Sequence, residues 1–307
     1  MSGAAVSRGA ARPLPAVGAP VPLRRALRRG TGGLGHALAA DRAALVSVLF
    51  IAAVAAGAVG APALAPGDVN APDFGARLAP PFSPGHPAGT DPLGRDVLGR
   101  LVYGARVSLA VGLLGVLAAA AIGVVAGVLA GFYGGWLDAL LMRLVDVQLA
   151  FPFILLALVV NAIIGLGLQN IVVSLVAAGW VEYARVARGE ALVVREREFV
   201  QAARLLGCPD GRLLRRHVLP NVATPLIVTG TLQVAQFILA EASISFLGFG
   251  VQPPTPAWGS MVSEGLDYIF SAWWLITLPG LALAALALAV NVAGDWLRDA
   301  LDPRLQA

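Results

Sequence analysis

The chain has 307 residues, of which 58% are hydrophobic and only 13% charged, and its mean hydropathy is +0.78. Soluble domains carry about a quarter charged residues, so too little polar surface is left here to cover a globule in water. The net charge of +4 comes from arginine alone, because lysine is absent, and the arginines flank apolar runs instead of forming the basic stripe of a nucleic-acid-binding protein.

Residues 1–42 are rich in Ala, Pro and Gly and carry Arg8, Arg12, Arg24, Arg25, Arg28, Arg29 and Arg42, with no acid before Asp41. No apolar stretch follows the first arginines, which argues against a cleaved signal peptide. An organellar transit peptide would also be basic and acid-poor, but a disordered cytosolic tail is the simpler reading. Apolar segments follow at about 43–59, 107–132, 147–166, 171–186, 222–240 and 274–292. Runs near twenty residues match the thickness of a bilayer, so the expectation is an all-α polytopic membrane protein with six spanning helices.

Orientation follows from the arginines. With the N-terminus inside, 18 of the 22 fall in cytosolic segments, and only Arg77, Arg95, Arg100 and Arg106 fall outside. By the positive-inside rule both termini are expected in the cytosol. Trp273 and Trp274 open the last span, Trp296 follows it, and Trp136 lies in a loop, all positions that suit an interfacial belt.

Within this frame, Asp91-Pro92 reads as an N-cap followed by proline at the first helical position. Leu93, Val97, Leu98 and Leu101 would form an apolar face, and Asp96 and Arg100 an i,i+4 pair, giving an amphipathic helix at the outer surface. Between the fourth and fifth spans lies a long polar insertion. Phe199, Ala202, Ala203 and Leu206 recur at helical spacing, Gly207 suits a C′ position with positive φ, and Pro209 stops the first helix. A second short helix would run from Pro209 to about Val218 and end before Pro220. The product is a helix–turn–helix elbow on the cytosolic side.

This elbow resembles the EAA loop of ABC importer permeases, through Gln201-Ala202-Ala203, then Gly207, then Leu219-Pro220. Gln201 stands where that family usually has Glu, which keeps the length and an amide but loses the charge. The stretches GTDPLGRDVLGRLVYGARVSL (89–109) and SFLGFGVQPPTPAWGSM (245–261) resemble signatures of the second permease subunit of dipeptide, oligopeptide and nickel importers. The resemblance implies a type I ABC importer transmembrane fold, with Gln201, Ala202, Ala203, Gly207, Leu219 and Pro220 coupling to an ATPase. It implies a second permease subunit, two ATP-binding subunits and an extracytoplasmic solute-binding protein as partners, in a cell inner membrane. The chain then divides into a cytoplasmic tail (1–42), a first span with an extracytoplasmic segment (43–102), a permease domain (103–296) with its coupling loop near 195–220, and a cytoplasmic tail (297–307).

Acids in or near the spans have two readings. Asp146 and Glu182 lie near Arg143 and Arg185, where ion pairing is the default, whereas Glu241 lies toward the outer end and could face the pathway together with Gln236. For Asn161, Gln233 and Gln236, polar groups within apolar runs, helix–helix hydrogen bonding is the default reading. Without lysine there is no nucleotide P-loop, and His36, His86 and His217 lie too far apart for a metal site, so no cofactor or enzyme site is expected in this chain; the resemblance implies that ATP hydrolysis falls to separate subunits. The rival class, a proton-driven carrier, would need a mid-membrane acid and an inverted repeat, and neither stands out.

Overall fold

In lipid a backbone must satisfy its own hydrogen bonds, so long apolar runs have helix as their outlet. The structure, a computed structural model, describes residues 38–39 and 41–301. The amino-terminal tail before residue 38 and the last residues from 302 lie outside the described residues.

Helix α1 (Arg42–Val59) starts on the Asp41 carboxylate, which accepts from the amides of Ala43 and Ala44. An irregular segment leads to α2 (Val97–Tyr133), followed by α3 (Gly135–Leu149), α4 (Phe153–Ile164) and α5 (Leu168–Arg195). The short α6 (Glu198–Leu205) precedes the long helical stretch α7 (Asp210–Phe246). A short α8 (Trp258–Gly265) and the closing α9 (Trp274–Leu301) complete the chain. Among the described residues, five of these are long and apolar enough to cross a bilayer, and the bent pair α3–α4 meets the same test when taken together, as a broken span or a re-entrant loop.

The spans fall where the apolar runs place them, with three departures. The third is not one helix over 147–166: α3 and α4 meet at 94° across residues 150–152. Pro152 has no amide to donate and pushes Phe151 out of the helical region, which breaks the run. The helix at the second span starts at Val97 on the Asp96 carboxylate, which accepts from the Gly99 amide, and not at Asp91-Pro92. Gly94, with φ of 78°, turns the chain just before it. The expected stop before Pro220 is also absent, since residues 214–218 form a π-turn that runs directly into the rest of α7. The Leu219 amide bonds back to Leu214 O and the Asn221 side chain donates to His217 O at 2.5 Å, so the ladder bypasses the proline.

The core is built on backbone proximity. Gly123, Gly127 and Gly131 form one stripe of α2 that lies directly on α5. A Cβ at Gly131 would sit 2.6 Å from Arg188 O, and those at Gly123 and Gly127 would press still closer on Trp180 O and Ala184 O. Small residues permit this approach, which drives helix association where lipid supplies no hydrophobic difference. Nearer the centre, the Phe237 ring of α7 occupies the space left by Gly115 of α2 and Gly179 of α5, and stacks on Phe153 of α4 at 6.0 Å.

At the end of the bundle opposite α6, the two signature-like stretches meet each other. Trp258 packs on Gly104 and donates its indole N–H to Leu101 O at 2.8 Å. Trp274 donates to Thr90 O at 3.1 Å and is buried, so it belongs to the core and not to an interfacial belt, while Trp273 and Trp136 are exposed. Asp91 is the hub of a buried ionic cluster. Its Oδ2 accepts from Arg95 Nε at 2.6 Å and from Arg100 Nη1, and its Oδ1 accepts from the amides of Leu93 and Arg95. Glu264 of α8 completes the cluster at 3.1 Å from both guanidinium groups. Arg100 therefore pairs with Asp91 and Glu264 instead of with Asp96.

Candidate coupling elbow

Residues 196–218 join α5 to the membrane-spanning part of α7, and local chemistry fixes their path. Helix α6 ends in a Schellman turn: the Cys208 amide bonds to Ala203 O at 3.1 Å and the Gly207 amide to Arg204 O at 2.9 Å. Gly207 occupies C′ with φ of 78°, a conformation that costs side-chain-bearing residues about 1–2 kcal/mol. Ala203 and Cys208, the flanking pair of the turn, pack on the main core. Val200 of α6 is buried, as are Leu213 and Val218 beyond the turn.

The inward face of α6 is thus Val200 and Ala203; of the residues expected to form it, Phe199, Ala202, Ala203 and Leu206, only Ala203 packs on the core and the other three are exposed. Leu205 and Leu206 are each 89% exposed, Gln201 and Ala202 are exposed beside them, and Leu219 is 38% exposed. Pro220 is half-buried at the start of the regular part of α7. Exposed leucines on a polar, arginine-rich segment make this a candidate contact surface.

Several contacts tie the elbow to the end of α2. Arg195 Nη1 donates to Gly131 O at 2.8 Å, and the Arg204 guanidinium lies 5.2 Å from the centroid of the Phe132 ring. Phe199 and His217 bring their rings to 5.9 Å across the two arms. Gln201 Nε2 donates to the Glu196 carboxylate at 3.2 Å and to its carbonyl at 3.3 Å. Glutamine is the fitting residue here, since a second carboxylate would face Glu196 without a donor between them.

The remaining sites distribute differently. Glu241 is fully buried between α2 and α7, where its carboxylate accepts from Ser245 Oγ at 2.7 Å and Ser108 Oγ at 3.3 Å. Ser245 Oγ also accepts from the Val251 amide at 3.3 Å, so Glu241 anchors the turn that follows α7. Gln236 is half-buried with no hydrogen-bond partner among the described residues. Gln233 crosses to α5, donating to Glu182 Oε2 at 2.6 Å, so Glu182 meets an amide and not Arg185. Asn161 donates to Phe249 O. On this side of the bundle Arg188 pairs with Asp138, 2.7 Å between Nη2 and Oδ2, and Arg195 with Glu196, whereas no Asp146–Arg143 pair forms among the described residues. Apart from the local contacts of Ser245 with Glu241 and Val251 and of Arg195 with Glu196, these partners lie far apart in the chain and sequence spacing gives no sign of them.

The predicted outcome at Glu241 separates two roles. Glu241→Gln keeps an acceptor and is expected to cost less than about 1.5 kcal/mol, whereas Glu241→Leu strands two hydroxyls at a cost of about 1–3 kcal/mol. Thermal unfolding in detergent checks both. Loss of uptake in the Gln variant at unchanged stability would place the carboxylate in the pathway instead.

The model of the family described as "binding-protein-dependent transport system inner membrane component" matches residues 123–307. The chain belongs to this family. It is 44% identical over 261 residues to a putative peptide transport system permease protein of Brucella suis, covering 85% of this chain and 88% of that one. It is 42% identical over 276 residues to the di/tripeptide transport system permease protein DppC of Pseudomonas aeruginosa, covering 88% and 91%. A glutathione transport system permease protein GsiD of Pectobacterium atrosepticum is 41% identical over 225 residues, covering 73% of this chain and 75% of the relative. In fold, the chain resembles a structure of the MetNI methionine ABC transporter in an inward-facing conformation, with a TM-score of 0.54 at 21% identity over 66% of this chain and 96% of that one. The permease is a membrane-embedded subunit of an ABC importer, and in this family ATP hydrolysis resides on separate ATP-binding subunits.

Proposed function

We propose that the permease carries peptides or similar small solutes inward across a bacterial inner membrane, pairing with a second permease chain to enclose the pathway. The relatives named for peptide, di/tripeptide and glutathione transport support this cargo class. Two cytosolic ATP-binding subunits and an extracytoplasmic solute-binding protein complete the assembly, and both termini face the cytosol in accordance with the arginine distribution. The observation that carries the reading is the elbow. It holds Leu205 and Leu206 exposed on a rigid Schellman turn that is itself anchored to α2 and the core. Gln201, Ala202, Ala203 and Gly207 form the docking arm, and Leu219 and Pro220 form its root.

Closure of the ATPase pair on ATP draws the elbows together and shifts the spans from inward to outward access, a change driven by differential binding to the two states. Gln236 remains a pathway candidate, whereas burial of Glu241 within one chain favours a positioning role. The proposed division is a first span with its extracytoplasmic segment over 43–102 and a permease domain over 103–296, with the coupling loop near 195–220.

The test is purification of the tagged chain in mild detergent with mass spectrometry of its companions, then uptake of a labelled dipeptide in liposomes. Recovery of a second permease and ATP-binding subunits, with uptake that stops on ATP depletion, is the expected result. Uptake by the chain alone without ATP would overturn the reading. Gly207→Val is expected to lower ATP-driven uptake roughly ten-fold at normal expression, as the turn loses about 1–2 kcal/mol; undiminished uptake would remove the elbow from coupling.

A further inference from the structure

Irregular backbone at membrane depth is tolerated only where protein or water satisfies its polar groups, since each unsatisfied group in hydrocarbon costs several kcal/mol. The junction between α3 and α4 is such a place. Among the described residues, no hydrogen bond reaches the carbonyls of Leu149, Ala150 and Phe151 or the amides of Phe153, Ile154 and Leu155. The four residues Leu149 to Pro152 are all exposed on the chain.

Depth is fixed by the neighbours. Phe153 stacks on Phe237, which fills the gap at Gly115 and Gly179, near the centres of α2 and α5. The break therefore lies level with the middles of α2 and α5, two helices long and apolar enough to cross a bilayer. Gln148, the polar side chain nearest to it, is already committed. Its amide donates to Ala177 O and Ala178 O at 2.8 and 2.9 Å, and its Oε1 accepts from Trp180 Nε1 at 3.0 Å. By contrast Leu113, Leu114 and Leu117 are exposed on an unbroken stretch of α2, whose backbone is satisfied internally and suits lipid.

Lipid against the break is thus excluded on energetic grounds. A covering protein surface would have to match several donors and acceptors on a segment whose own side chains are apolar. Water makes that match without a fixed partner, and discontinuous spans place cargo near the midplane in other transporter folds. We infer that the 149–152 break lines the aqueous route through the membrane, where its free main-chain groups are solvated by water and by polar cargo in transit. The inference rests on the importer reading for the cargo, but not for the water.

The experiment uses the assembled complex in liposomes, with Cys208→Ser as background and single replacements Ala150→Cys, Phe151→Cys and, as the lipid-facing reference, Leu117→Cys. A charged methanethiosulfonate reagent is supplied on both sides. Modification at Ala150→Cys or Phe151→Cys at least ten-fold faster than at Leu117→Cys is expected. Rates at both positions no faster than the reference would overturn the assignment, whatever covers the break. Labelling does not require transport, so rapid labelling in a complex without ATP-driven uptake would strike the importer reading and leave the aqueous lining in place.

Discussion

Asp91→Ala is expected to destabilise the permease by about 3–5 kcal/mol, the usual consequence of removing one partner from a buried ionic group. Asp91 is 3% exposed, and the guanidinium groups it binds, Arg95 and Arg100, are 8% and 2% exposed. Without it, two buried cations share Glu264 alone, and the amides of Leu93 and Arg95 lose their acceptor as well. The loss should appear as a lowered unfolding temperature in detergent and as freer proteolysis between residues 68 and 96, which the cluster ties to α8. Asp91→Asn keeps an acceptor for the amides but no charge, and should fall between the wild type and Ala. A change under about 1 kcal/mol for Asp91→Ala would mean that water reaches the cluster and shares its charge.

Gly127→Leu should prevent assembly almost entirely, with at least a ten-fold fall in recovered complex. Overpacking a core commonly costs about 1–3 kcal/mol, because side chains can move aside. Here the obstacle is backbone: even a bare Cβ at Gly127 runs into the carbonyl of Ala184. Relief requires parting α2 from α5 along the whole stripe, which also separates Gly123 from Trp180 and Gly131 from Arg188. Gly57→Ala in α1 is the control, since nothing lies within 4 Å of its added carbon. It should be neutral or slightly stabilising, as Gly is a poor helix former. Recovery of the Gly127→Leu complex at the level of that control would show that the two helices are not in backbone contact.

The parts of this architecture that were legible in the sequence are those set by local physics or by the bilayer. The apolar runs announce the spans because hydrocarbon permits few alternatives, and Gly207 with Pro209 announces the turn because few residues accept positive φ. What was misread turned on competition. Asp91-Pro92 has the form of a helix start, yet the Asp91 carboxylate is taken by arginines and Asp96 caps the helix in its place. Pro152 inside the third run and Pro220 before the fifth look alike as breakers. The first breaks its helix, while a π-turn absorbs the second. Partners such as Glu264 for Arg100, 164 residues apart, carry no local signal at all. The two signature-like stretches make physical sense once they are seen to pack on each other.

The close contact of α2 with α5 has a mechanical meaning. Two helices whose main chains touch along a glycine stripe have no side-chain cushion to shear against, and so they move as one part. The elbow hangs from that part at both sides, by continuity with α5 and by the grip of Arg195 and Arg204 on Gly131 and Phe132. A displacement imposed on Leu205 and Leu206 is therefore not damped in a flexible joint. Under the proposed coupling it would reach the α2–α5 pair as a unit, and slippage would be left to the seams around that pair.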